Sequence, residues 1–193
     1  MAGPRARPLD VMFERLCAHW VYGGALAALV LLSLTPFLAF GPVLTAVYLA
    51  LPVYMIHQYE EHDDDRFRRF VNTLLAGRSR GLSRADVFWI NIAGVWALLV
   101  ATLWAAATIN PGWGSVATWL LGLNGLIHVA QAVALRRYNP GLVTALILFL
   151  PLAAWLFVHV PASLGQQIAG FGIVLVLHGL ILVRARQPGP VAS

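Results

Sequence analysis

The stretch His57-Gln58-Tyr59-Glu60-Glu61 ends an apolar segment that starts at Pro42, and the reading of that segment decides the fold. Residues 42–56 are too few to cross a bilayer, which takes about 20 residues at roughly 1.5 Å each. The segment spans only if its helix runs on through the imidazole and the two carboxylates into the interface. Ionisable groups near hydrocarbon are costly unless they pair, bind an ion or face water, so they read as a functional site. On a helix, His57 shares a face with Glu60 and Glu61, three and four residues on, a spacing that can make a ligand set.

Composition agrees with a membrane helix. The 193 residues are 60% hydrophobic and 11% charged, with a mean hydropathy of +0.76, whereas a soluble domain carries about a quarter charged residues. The 13 basic residues are all arginine and flank apolar runs. That pattern marks membrane topology and argues against a nucleic-acid partner. The one cysteine, Cys17, excludes an internal disulfide and a cysteine-based zinc cluster, and reads as a packing residue.

Working outward, apolar runs at 20–40, 42–61, 87–107, 116–135, 142–160 and 168–183 predict an all-α polytopic membrane protein. About six transmembrane helices form one domain, and 184–193 make a short tail. Gly41-Pro42 and Asn110-Pro111-Gly112 mark turns, Asn139-Pro140-Gly141 caps the fifth span, and Pro151 kinks it. Arg5, Arg7 and Arg15 precede the first span, arginines from Arg66 to Arg84 separate the second and third, Arg136 and Arg137 follow the fourth, and Arg184 and Arg186 follow the sixth. All fall on one side, so both termini are expected in the cytoplasm. The eight acidic residues lie on that side too. The acidic start and the lack of a small-residue cleavage site make the first span a retained helix and not a cleaved signal.

Between the second and third spans, Phe67, Phe70, Val71, Leu74 and Leu75 recur at helical spacing opposite Arg66, Arg68, Arg69 and Asn72. This predicts a short amphipathic interfacial helix, stopped by Gly77. Ser83-Arg84-Ala85-Asp86 reads as a capping box. Asp63-Asp64-Asp65 reads as solvated charge and not as a metal site.

Helical rise sets the depths of the remaining polar residues. His128 lies about 12 Å before Arg136, His178 about 9 Å before Arg184, and His57 about 9 Å before Asp63. Three histidines on three spans therefore share one layer, with Asn91, Asn124 and Gln131 in or near it. His19 and His159 sit at span ends and read as interfacial. A zinc or iron site wants imidazole nitrogens and carboxylate oxygens around an open position. His57, Glu61, His128 and His178 supply that set, with Glu60 as general base or acid and Asn91, Asn124 and Gln131 orienting the ligands. A divalent cation there would also relieve the repulsion between two adjacent carboxylates.

These residues fall in four stretches: His57 to Glu61, Phe88-Trp89-Ile90-Asn91, Asn124-Gly125-Leu126-Ile127-His128, and Arg136 through Thr144. In that order, over roughly residues 52–152, the chain resembles the HXXEE-motif membrane proteins. The resemblance implies a polytopic protein of unsettled biochemistry, in the plasma (inner) membrane of a bacterium, whose His, Glu and Asn residues suggest enzymatic activity. The run His62-Asp63-Asp64-Asp65 departs from the Tyr or Gly-rich continuation expected after the paired glutamates.

The leading functional expectation is a metal-dependent intramembrane hydrolase or oxidoreductase. Its substrate is lipophilic or membrane-embedded and arrives from the surrounding lipids. A proton- or metal-coupled transporter is the alternative from another class, since intramembrane His and Glu suit it equally. A glutamate-type intramembrane protease resembling the CAAX-processing group fits less well, because four residues separate Glu61 from Arg66. A small structural subunit would leave His57, Glu60 and Glu61 without a cause.

Overall fold

The structure is a computed structural model that describes residues 7–75 and 79–188. Arg5, the Gly77 stop and residues 189–193 of the tail lie outside them. All regular structure in the described residues is helical, and five helices are long and apolar enough to cross a membrane. The protein is a multi-pass membrane protein.

Helix α1 (Pro8–Leu34) begins well before the apolar run at residue 20, because proline in its first turn and Asp10 both suit a helix start. It ends in a 3-10 turn, Thr35–Phe37. After Gly41, α2 (Pro42–His62) starts with proline in its first turn and continues unbroken through the pentapeptide. This helix is not among the five apolar ones, and its packing explains why. Eleven of its 21 residues are buried, against α1, α4, α5 and α6. A helix enclosed by its neighbours is free to carry polar groups, which inside a membrane face the bundle interior.

The acidic run that follows is a sharp turn, with Asp64 and Asp65 at φ +51° and +59°. Its carboxylates are paired with arginines: Asp63 with Arg66 at 2.8 Å, Asp64 with Arg69 at 2.8 Å, and Asp65 with Arg68 at 2.7 Å. These pairs tie the turn to α3 (Arg66–Leu75), whose Phe67, Val71 and Leu75 pack on a cluster formed by Cys17, Trp20, Val21, Leu82, Val87 and Phe88. Cys17 is therefore a packing residue. Asn72 pins the chain beyond α3 by bonding both the N–H and the carbonyl of Leu82.

Helix α4 (Arg84–Thr108) starts from the Ser83/Asp86 capping box read in the sequence. It widens into a π-helical stretch at Ile90–Trp96. There Asn91 Nδ2 bonds the Val87 carbonyl at 2.8 Å, the carbonyl that an α-helix pairs with the Asn91 backbone N–H. Helix α5 (Ser115–Leu135) ends at Arg136 in a left-handed conformation. Helix α6 (Leu142–His159) has a second π stretch, Ala145–Phe149, just ahead of Pro151, so the irregularity expected at that proline is taken up one turn earlier. Helix α7 (Leu164–Ala185) rises from a second capping box, Ser163/Gln166.

Two kinds of contact close the bundle. At the end away from the arginines the ties are uncharged: Gln166 Nε2 to Asn110 Oδ1 at 3.2 Å, Ser115 Oγ to the Gln166 carbonyl at 3.1 Å, and Trp119 Nε1 to Gln167 Oε1 at 2.8 Å. At the arginine end, Arg184 of α7 grips Asp86 of α4 at 2.8 Å. The main core, including Tyr54, Leu99, Leu120, Leu121, Phe149, Leu156 and Val174, lies between them.

Candidate metal centre

The last turns of α2 aim their polar side chains in different directions because successive residues project about 100° apart. His57 and Gln58 are fully enclosed, and Glu61 is 6% exposed. Gln58 turns toward α4, where its Nε2 donates to Asn91 Oδ1 at 2.7 Å and its Oε1 accepts from Trp96 Nε1 at 2.6 Å. His57 turns toward α5 and α6. Its ring lies 4.1 Å, centroid to centroid, from Phe149 and 4.9 Å from His128.

His57, Glu61 and His128 each bring one ligand atom to a common point, with these atoms all within 4.8 Å of one another. Glu61 Oε2 lies 3.7 Å from His57 Nε2 and Glu61 Oε1 lies 3.6 Å from His128 Nε2. Tetrahedral bonds of about 2.0–2.1 Å would set ligand atoms roughly 3.3–3.4 Å apart. The two carboxylate–imidazole separations are within a few tenths of an ångström of that spacing, and the group can hold a metal ion.

Hydrogen bonds on the far side of each ring decide which nitrogen carries the proton. His57 Nδ1 lies 2.8 Å from Thr144 Oγ1. That hydroxyl already gives its single proton to Glu60 Oε2, 2.5 Å away, so His57 Nδ1–H is the donor. His128 Nδ1 lies 2.8 Å from Asn139 Oδ1, and Asn139 Nδ2 donates to the His128 carbonyl at 2.8 Å, which fixes the amide orientation and makes Nδ1–H the donor there as well. Both Nε2 atoms are then left with lone pairs facing the same carboxylate. His57 Nε2 is buried with no hydrogen-bond partner among the described residues.

Backbone completes the enclosure. Gly141, at φ +95°, passes so close that an added Cβ would lie 2.7 Å from Cε1 of both His57 and His128. Glycine is required there twice over, for the left-handed conformation and for the approach to both rings.

Glu60 faces away from the triad. Its Oε1 accepts from the Tyr138 hydroxyl at 2.7 Å and from Val143 N–H at 3.1 Å, while Oε2 accepts from the Thr144 N–H at 2.7 Å and the Thr144 hydroxyl. Both oxygens of the carboxylate expected as general base or acid are thus engaged in hydrogen bonds outside the triad. His178 is also left outside the triad: its Nδ1–H donates to the Val174 carbonyl at 2.9 Å. It lines a cavity of about 50 Å³ whose walls include Glu61, His62, Tyr54, Asn91 and Asn124. Asn91 and Asn124 therefore sit beside the triad, Asn124 donating to Tyr54 Oη at 2.7 Å. Gln131, half-buried one turn from His128, makes no hydrogen bond to these groups among the described residues. His159 stacks on Trp155 at 4.1 Å, away from the site.

A family model described as a protein of unknown function with an HXXEE motif matches residues 48–156, a range that holds the whole triad. The chain belongs to that family. No curated protein and no solved structure matches it. In this HXXEE protein the sequence reading missed four contributors. His62 Nε2 lies 3.1 Å from Glu61 Oε2 and 3.4 Å from Asn91 Nδ2, but it stands at the head of the acidic run and was grouped with it. Asn139, Gly141 and Thr144 were read as a turn and a helix start. The signal was Asn-Pro-Gly followed by Thr, which puts polar groups where a span enters the layer of His57 and His128.

Proposed function

We propose that the protein is a metal-dependent intramembrane enzyme in which His57, Glu61 and His128 hold a zinc or iron ion and the substrate is lipophilic. The observation that carries this reading is the convergence of two imidazole lone pairs on one buried carboxylate. Protonated imidazoles would draw Glu61 to about 2.7–2.9 Å, the length of a charge-assisted hydrogen bond. The two contacts are 3.6 and 3.7 Å, and lone pairs set against an anion repel unless a cation lies between them. A buried carboxylate is strongly destabilising unless it is paired, and the close contact of Glu61 with His62, 3.1 Å from Oε2, leaves Oε1 facing the His128 lone pair.

Bound there, the cation supplies Lewis acidity and an activated water. The protein's own groups do the rest. Thr144 and Asn139 orient the two imidazoles, and Glu60 acts as a positioning residue through Thr144. His62, on the cavity wall and 3.1 Å from Glu61, is the proton acceptor in this reading, a role first assigned to Glu60. His178 contacts substrate in the cavity. We further assign α2 as a sixth crossing, shielded by the five apolar helices, α3 as interfacial, and the arginine end as cytoplasmic.

Metal analysis of detergent-purified protein tests the proposal. Stoichiometric zinc or iron is expected in the wild type and is lost in His57→Ala, Glu61→Ala and His128→Ala. Wild-type protein without metal after growth in supplemented medium, or variants that keep it, would overturn the reading.

A further inference from the structure

A groove on the outer surface of the bundle backs onto the polar cavity beside the triad. Helices α4 and α7 are gripped together at the arginine end by Arg184 and Asp86, yet make few close approaches along the rest of their lengths. Between them lies a groove of about 340 Å³ lined by Asp86, Trp89, Ile90, Leu177, Leu180, Ile181 and Arg184. Trp89 and Leu180 are exposed, which in a membrane protein means that they face lipid. Three of the groove residues, Ile90, Leu177 and Ile181, also wall the inner cavity that contains Glu61, His62 and Asn124. The same three side chains thus stand between that groove and Glu61.

The inner cavity has room for roughly three or four water-sized groups, enough for one narrow polar end and too little for a double-chained lipid head. One wall atom asks for a partner: Asn124 Oδ1 is buried without a hydrogen bond, while its Nδ2 is committed to Tyr54. A lone carbonyl oxygen on the wall of the cavity selects a donor, an O–H or N–H.

We infer that the α4/α7 gap is the access portal and that the substrate is a single-chain amphiphile resident in the bilayer, with a hydroxyl or amide N–H at its polar end. This rests on the proposed function for what happens to that end, but the portal itself requires no metal. The chain lies in the groove against Leu177, Leu180 and Trp89, the polar end passes Ile90 and Ile181, and its donor bonds Asn124 Oδ1 beside Glu61.

The test uses full-length protein in phosphatidylethanolamine and phosphatidylglycerol vesicles, with a diazirine-bearing hexadecanol as the probe and labelled residues mapped by mass spectrometry. Labelling is expected to concentrate on α4 around Ile90 to Val95 and on α7 around Leu177 to Ile181. Unlabelled hexadecanol should compete, and a two-chain phospholipid should not. Leu177→Trp, or Ile181→Trp if the first fails to fold, should plug the gap and abolish the focused labelling with metal content unchanged. Asn124→Leu should weaken competition about three- to tenfold, the loss of one hydrogen bond. Labelling spread evenly over lipid-facing residues such as Val133 and Val158, or indifferent to both tryptophan plugs, overturns the portal. Focused labelling in protein that binds no metal would support the portal while refuting the metal reading, so the two failures are distinguishable.

Discussion

Replacing Gly141 with alanine tests the centre through a residue that donates nothing to it. The new Cβ would lie 2.7 Å from Cε1 of His57, 2.7 Å from Cε1 of His128 and 3.2 Å from His128 Nε2. Carbon–carbon contacts become comfortable near 3.5 Å, so relief requires each ring or the backbone to give way by about 0.8 Å. The rings have little slack, because their Nδ1 atoms are held at 2.8 Å by Thr144 and Asn139. Metal bonds tolerate only about 0.2 Å of error, and the left-handed φ adds roughly 1–2 kcal/mol of strain for a residue with a Cβ. The expected result is a loss of about 100-fold in metal affinity, the upper end of what disturbing a ligand's supporting shell costs. Metal retained after dialysis against graded chelator measures it. Gly172→Ala, whose Cβ would meet nothing within 4 Å, is the control for a glycine-to-alanine change without a steric contact. Gly141→Ala retaining metal as well as Gly172→Ala does would refute the argument that these two histidines form the site.

Other substitutions separate the roles of the neighbours. Thr144→Val and Asn139→Ala each remove the acceptor that orients one imidazole and should weaken metal retention about 10- to 100-fold in the same chelator assay. Glu60→Gln leaves one oxygen to do the work of two and should loosen both metal and fold, seen as lower metal retention and a lower thermal midpoint; unchanged retention with lost turnover would restore Glu60 as the proton acceptor. His178→Ala should keep full metal stoichiometry, since its ring lies outside the triad, and a proportional metal loss would return it to the ligand set. Reporter fusions after Gly112 and Gly165 should be non-cytoplasmic, and a cytoplasmic signal at either position would break the assigned topology.

Periodicity and rise made part of the site legible in the sequence. The four-residue interval puts Glu61 under His57, and counting back from Arg136 puts His128 at their depth. The same count put His178 at the right depth but carries no information about which way the ring turns. Its Nδ1 is satisfied by Val174 of its own helix, and α7 packs chiefly on α5. Hydropathy likewise reports what faces lipid: it gave six runs, the one at 42–61 with a short apolar part, and α2 falls outside the five apolar helices because its surroundings are protein. His62 escaped because charge composition grouped it with Asp63 to Asp65, whereas the helix runs through His62 before turning. Turn residues were legible as turns, but their second use against the imidazoles depends on tertiary contacts, Thr144 with His57 across 87 residues and Asn139 with His128 across 11.

The adjacent glutamates show how the motif ties the centre together. Helix α6 begins after Gly141, which has no side chain to cap it, and the first N–H groups of a helix lack intrahelical acceptors. Glu60 supplies them from another helix, accepting from Val143 and Thr144 N–H, where the helix dipole also favours a negative charge. The same carboxylate takes the Thr144 hydroxyl proton, and Thr144 in turn accepts from His57, three residues before Glu60 on α2. The path from His57 through Thr144 and Glu60 back to α2 is closed, so the group that orients the ring is itself held by the carboxylate that caps α6. A second closed path holds His128, whose Nδ1–H bonds Asn139 while Asn139 returns a bond to the His128 carbonyl. Both closures pass through the segment that presses Gly141 against the rings. The interval between His57 and Glu60 locks the ligand and the interval between His57 and Glu61 completes the triad, which is a physical reason for two glutamates in succession instead of one.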